Sequence, residues 1–287
     1  MCFGTTGTAQ AYGPDGASST AVGLARIVAG GALLGLVAWW AARRSAGGWM
    51  PRSRSETVTM LVGGAAVLAY QPTFFAGASL NGVAIGAVVT LGAAPALTGL
   101  LEWSLTRELP SRAWFAGTGC AVVGVVLISG LLESGGQTVS ARGVAGSLGA
   151  ALSYAVYTLA AKHLLTEGRS PTTAIGSIFA VAATMGAPFL LLVDLSWVVT
   201  PSGVGMIAWL AAVTVVIAYV LFAIGLQSLS ASTVSTLTLV EPLTACVLGL
   251  ALLDEHLSAA GWAGLALLLI GVLALGRSRT TALPPPR

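Results

Sequence analysis

Residues 95–125, PALTGLLEWSLTRELPSRAWFAGTGCAVVGV, are echoed 147 positions later by residues 242–272, PLTACVLGLALLDEHLSAAGWAGLALLLIGV. Pro95, Leu101, Leu105, Glu108, Ser111, Ala116, Gly117, Gly124 and Val125 recur as Pro242, Leu248, Leu252, Glu255, Ser258, Ala263, Gly264, Gly271 and Val272. Between the matches, apolar residues mostly face apolar residues, and both copies lie in apolar, helix-length segments. Self-similarity at a long fixed period marks a duplicated architecture. A duplicated bundle of membrane helices is a common plan for a secondary transporter, with its binding site where the copies meet.

Composition places the chain in a bilayer. Hydrophobic residues are 56% of the 287 positions, charged residues 8%, and mean hydropathy is +0.89. A soluble domain carries roughly a quarter charged residues, so this chain cannot cover a water-facing surface. The 37 glycines fit, because small residues let membrane helices approach closely. Cys2, Cys120 and Cys246 fall in apolar segments without ligand-like spacing and read as small core residues.

A hydrocarbon core about 30 Å thick needs roughly 20 helical residues per crossing. Nine stretches reach that length, near 20–42, 57–78, 82–105, 113–132, 143–162, 172–193, 204–226, 231–253 and 259–276. Met1–Tyr12 is about half a crossing and lacks the basic start of a signal peptide, so it reads as a truncated first helix. The expected fold is an all-α integral membrane protein of ten helices in two five-helix halves, 1–132 and 143–276, with a tail over 277–287. An odd number of crossings per half turns the second copy upside-down, an inverted repeat. With the start of the chain in the cytoplasm, Arg43, Arg44, Arg52, Arg54, Arg107, Arg112, Lys162, Arg169, Arg277, Arg279 and Arg287 share that side. Only Arg142 lies in an outer loop, so both termini are expected to be cytoplasmic in a multi-pass cytoplasmic (inner) membrane protein.

Polar residues inside the membrane are costly, and so they are candidates for a pathway. Glu241, near the middle of the ninth helix, should face a cavity or carry a proton, either binding solute or coupling to protons; its first-half equivalent is Ala94. A neutral acid bonded to a neighbouring helix is the structural alternative. Pro95 and Pro242, at matched positions in the fourth and ninth helices, predict kinks whose freed carbonyls a polar cavity or a ligand can satisfy. Tyr70 and Gln71 in the third helix and Tyr219 in the eighth suit an amphipathic organic solute; Ala69, Tyr70, Ser79 and Leu80 recur as Ala218, Tyr219, Ser228 and Leu229. Tyr154, Tyr157 and Thr6 join this group. Arg26 stands early in the second helix, where its side chain either snorkels to the interface or serves the pathway. Glu102 is placed at the cytoplasmic boundary. Trp39, Trp40, Trp103, Trp114, Trp197 and Trp262 sit near helix ends, as in an aromatic belt.

His163 and His256 read as loop residues on opposite sides. The sequence carries no metal-ligand cluster, no hydrolase motif and no P-loop, so neither cofactor nor enzyme activity nor nucleic-acid binding is expected.

These residues resemble the EamA-type proteins of the drug/metabolite transporter superfamily. The likeness is strongest in Leu239-Val240-Glu241-Pro242-Leu243-Thr244-Ala245 and Leu253-Asp254-Glu255-His256-Leu257. The first half matches in Gly82-Val83-Ala84-Ile85-Gly86, in Gly92-Ala93-Ala94-Pro95 and from Glu108 to Gly124. Gly4-Thr5-Thr6 resembles the opening of the family's first helix, with Phe3 in the aromatic place. The resemblance implies a ten-helix inverted-repeat carrier in a bacterial inner membrane, often an exporter of metabolites or drugs. The expected function is therefore alternating-access transport of a small organic molecule, with lipid, solute and protons as partners. A membrane receptor or regulatory subunit that binds without transporting is the alternative.

Overall fold

The computed structural model describes residues 1–44, 48–129, 139–252 and 258–277. Residues 45–47 and 130–138, the run Leu253–Leu257 with His256, and the tail from residue 278 onward lie outside the described residues.

Ten helices follow one another among the described residues. They are α1 (Thr5–Ala11, led in by a tight turn at Cys2–Gly4), α2 (Ser19–Arg43), α3 (Arg54–Asn81), α4 (Val83–Thr106) and α5 (Arg112–Ile128) in the first half. The second half holds α6 (Ala141–Thr166), α7 (Pro171–Leu192), α8 (Pro201–Ser228), α9 (Ala231–Leu252) and α10 (Ala259–Arg277). Seven are long and apolar enough to cross a membrane, where nine were expected; α5 and α10 are shorter apolar helices, and α1 is the shortest. The 17 residues of α5 still span about 26 Å, close to the hydrocarbon thickness.

The short joints start these helices by local chemistry. Ser18, Ser53, Ser111, Ser170, Thr200 and Ser230 each accept a backbone N–H three residues on, at 3.1–3.3 Å. Each satisfies a donor that the first helical turn would otherwise leave open. Pro171 and Pro201 occupy first-turn positions, where a missing N–H costs nothing.

Packing repeats between the halves. α3 lies on α6 and α7 as α8 lies on α1 and α2; α4 lies on α6 as α9 lies on α1. The pairs α2–α7, α4–α9 and α5–α10 join one half to the other. Exchanging the halves leaves this set of neighbours unchanged, as a two-fold relation requires. Detail agrees with it at the duplicated glycines. A methyl group on Gly124 would stand 2.7 Å from the Gly264 carbonyl oxygen, and one on Gly264 would stand 2.7 Å from that of Gly124. Gly117 and Gly271 meet in the same reciprocal way, at 3.0 and 2.6 Å. Only hydrogen fits there, so backbones of α5 and α10 touch directly.

One end of the bundle is tied by charges. Arg169, 2% exposed, holds Glu56 at 2.6 and 3.1 Å and donates to the carbonyls of Gly48 and Met50. Lys162 donates to the carbonyls of Leu226 and Leu229, each at 2.8 Å. Glu102 is no simple boundary residue. Its carboxylate accepts the N–H groups of Ala231 and Ser232 at 2.7 and 2.9 Å, so α4 caps the start of α9.

Three further expectations need correction. Pro242 does not kink a continuous helix: α9 stops at Leu237 and restarts at Val240, so the proline falls in a first turn that has no donor to lose. His163 is in the last turn of α6, not in a loop. Trp114 and Trp197 are buried, and Trp114 donates its indole N–H to the Ser232 carbonyl at 3.0 Å, whereas Trp40, Trp103 and Trp262 are exposed as belt residues are.

Candidate functional site

A cavity of about 60 Å³ lies between the halves, lined by residues of α2, α3, α4, α6, α8 and α9 and by Phe3. Its wall includes Arg26, Tyr70, Gln71, Tyr154, Tyr157, Tyr219 and Glu241, seven of the ten residues singled out from sequence. Tyr70 and Tyr219 are repeat-related, and Phe3 stands where the second half has Tyr154. A void lined by both members of such pairs sits on the pseudo-two-fold, where copies of one chain segment converge.

Aromatic rings form one wall. The Tyr219 ring meets Phe3 edge-on at 4.9 Å and Phe179 at 4.2 Å; Tyr154 meets Tyr157 at 5.1 Å. The edge-on Phe3–Tyr219 and Tyr154–Tyr157 pairs have the separations favoured by ring quadrupoles, and Phe179 packs closer, tilted against Tyr219. The phenol oxygens are oriented by hydroxyl partners, Tyr154 with Thr238 at 3.0 Å and Tyr157 with Tyr219 at 3.4 Å.

The other wall is charged. Arg26 did not snorkel outward. It reaches inward, and its Nη1 donates to Thr6 Oγ1 at 3.4 Å, while its Nε is buried with no hydrogen-bond partner. Glu241 opens the second segment of α9, its carboxylate in the first turn, where the helix dipole favours negative charge. Among the described residues Arg26 and Glu241 form no direct ion pair, although both line the same small void. A guanidinium and a carboxyl group thus face one cavity without direct contact.

The break in α9 has a local cause. Ser232, Ser235, Thr236 and Thr238 form a hydroxyl-rich run whose side chains compete for backbone groups. Thr238 Oγ1 donates to the Ser235 carbonyl at 2.7 Å, and Glu241 N–H donates to the Thr238 carbonyl at 2.8 Å, closing a tighter turn. Hydroxyls also fasten the first segment of α9, through Thr236–Thr118 at 2.8 Å and Thr98–Ser235 at 3.4 Å.

Pro95, Pro242 and Thr6 do not line the cavity; their neighbours Ala94 and Glu241, and the Arg26 that Thr6 holds, do. Pro95 is buried within an unbroken α4. Sequence reasoning passed over Phe3, Thr90, Ser235 and Thr238. Ser235, Thr238 and Glu241 recur every third residue across the break in α9, and that spacing was the available signal.

An α-helical, duplicated, multi-pass membrane protein with an inter-repeat polar cavity belongs to the class of membrane transporters. The comparisons make the assignment narrower: the model of the EamA-like transporter family matches residues 1–130 and again 141–277, and the chain belongs to that family. The chain is 34% identical over 274 residues to the uncharacterized transporter YwfM of Bacillus subtilis (strain 168), covering 95% of this chain and 89% of that one. A solved crystal structure shares the fold with a TM-score of 0.76 at 22% identity, over 96% of this chain and 94% of the other.

Proposed function

We propose that the protein is a secondary carrier that exports a small organic metabolite or drug across the cytoplasmic membrane by alternating access, with both termini in the cytoplasm. The observation that carries this reading is the cavity lined by repeat-related residues of both halves and bearing Arg26 and Glu241. Sites for organic ligands commonly measure 300–1,000 Å³. A void of about 60 Å³ accommodates a few waters, so such a solute requires the halves to part before it enters. Two inverted copies supply that motion, since rocking about the shared site exposes it to each side in turn.

Glu241 is the coupling residue in this reading. Protonation removes a charge that is expensive to carry through the membrane, and deprotonation restores the attraction to Arg26. Solute and proton then compete for one void. Counterflow of labelled solutes in proteoliposomes distinguishes a carrier from a receptor, because only a carrier exchanges solute across the bilayer. With an exchanging solute in hand, Glu241→Gln should abolish the pH dependence of flux while exchange itself persists. A variant with the wild-type pH profile removes Glu241 from coupling.

A further inference from the structure

A second concavity lies on the outside of the bundle, and nothing in the transport reading uses it. It is a groove of about 550 Å³ between α2 and α7, floored by small residues including Ala32, Gly35, Ala180 and Ala183 and closed at one end by Trp39 and Trp49. From Val28 to Trp39 its α2 edge runs eleven residues, about 16 Å at 1.5 Å each. That is the depth of one leaflet, half of a hydrocarbon core of about 30 Å.

The groove lining is uncharged, but α2 carries two arginines just past Trp39. Arg43 lies over the Trp39 ring at 3.7 Å from its centroid, and Arg44 lies over Trp40 at 3.5 Å. Both arginines are exposed, and among the described residues neither enters an ion pair. Stacking fixes each guanidinium plane while its N–H edge stays available to a phosphate. Superposing the repeat through the matched contacts of Gly31 and Gly176 puts Thr184 and Pro188 opposite Trp39 and Arg43. The aromatic–basic end is therefore particular to one half and is not demanded by the fold.

We infer that this groove binds an anionic phospholipid, one acyl chain lying along α2 and α7 and the phosphate seated on Arg43 and Arg44. Leaflet-length reach identifies a chain, and two exposed arginines just beyond Trp39, with no ion pair among the described residues, select a negatively charged headgroup over a zwitterionic one. Because α2 and α7 belong to different halves, such a lipid touches both repeats.

Native mass spectrometry of the full chain, released from detergent after incubation with phosphatidylglycerol or phosphatidylcholine, tests this. The wild type should retain phosphatidylglycerol roughly tenfold more than phosphatidylcholine. The double variant Arg43→Gln with Arg44→Gln should lose that preference. Ala32→Phe, which fills the groove at an exposed position, should lower retention of both lipids. Equal retention by the wild type, a preference surviving in the double variant, or unchanged retention by Ala32→Phe each overturns the site. The readout is lipid retention alone, so it stands or falls separately from transport.

Discussion

α4 passes Pro95 without interruption, whereas α9 ends at Leu237 and begins again at Val240, just ahead of Pro242. Both descend from one duplicated segment, so their difference isolates what a few side chains can do. In α4 the residues before the proline are Leu91, Gly92, Ala93 and Ala94, which offer the backbone no competing partner. The Leu91 carbonyl simply loses its helical donor. In α9 the same places hold Thr238, Leu239, Val240 and Glu241, and the Thr238 carbonyl recovers a donor from the Glu241 N–H. The break yields a helix start at the cavity wall, and a carboxylate stands on it. The capping is one-sided as well: Glu102 of α4 holds the start of α9, but its repeat position in α9 is Gly249. One helix therefore acts as support and its twin as the bearer of the carboxyl group.

Moving the charge to the supporting helix is the strongest way to break this comparison. Ala94 is 5% exposed and has no helix start beside it, so Ala94→Glu should cost about 3 kcal/mol, read as a lowered unfolding midpoint in detergent. An unchanged midpoint would mean that the cavity alone makes a carboxylate tolerable. Removing the cap should cost less: Glu102→Ala is expected to destabilise by about 1–2 kcal/mol in the same measurement. The prolines give the smallest and most diagnostic pair. Pro95→Ala restores a hydrogen bond to Leu91 and should stabilise by about 1 kcal/mol. Pro242→Ala, in a first turn, should stay within about 0.5 kcal/mol of the wild type. Equal effects from the two would show that the break in α9 does not relieve its proline.

Much of the architecture was legible because membrane folding leaves few choices. Apolar runs must be helices where no water can satisfy the backbone, and hydroxyl residues at the joints mark their starts. The repeat revealed that Gly117 and Gly124 answer Gly264 and Gly271, though not that the four meet one another. The site was partly legible. Glu241, Tyr70, Gln71, Tyr154, Tyr157 and Tyr219 stood out as polar groups amid lipid-like sequence. Ser235 and Thr238 were hidden because hydroxyls satisfy themselves within a helix and carry no such penalty. Arg26 was ambiguous, since a long side chain near a helix end can reach the interface or the interior equally well.

The amino-acid sequence alone determined the membrane setting, the helical class, the duplication and the presence of a carboxyl group within an apolar, helix-length run, since each follows from local hydropathy and local identity. Tertiary structure decided that Arg26 turns inward to the same void as Glu241, that α9 breaks where α4 does not, and that Arg169 and Lys162 bind helix ends instead of facing water. Those outcomes depend on which helices become neighbours. A long side chain has no preferred direction until a neighbour offers it a partner or denies it one.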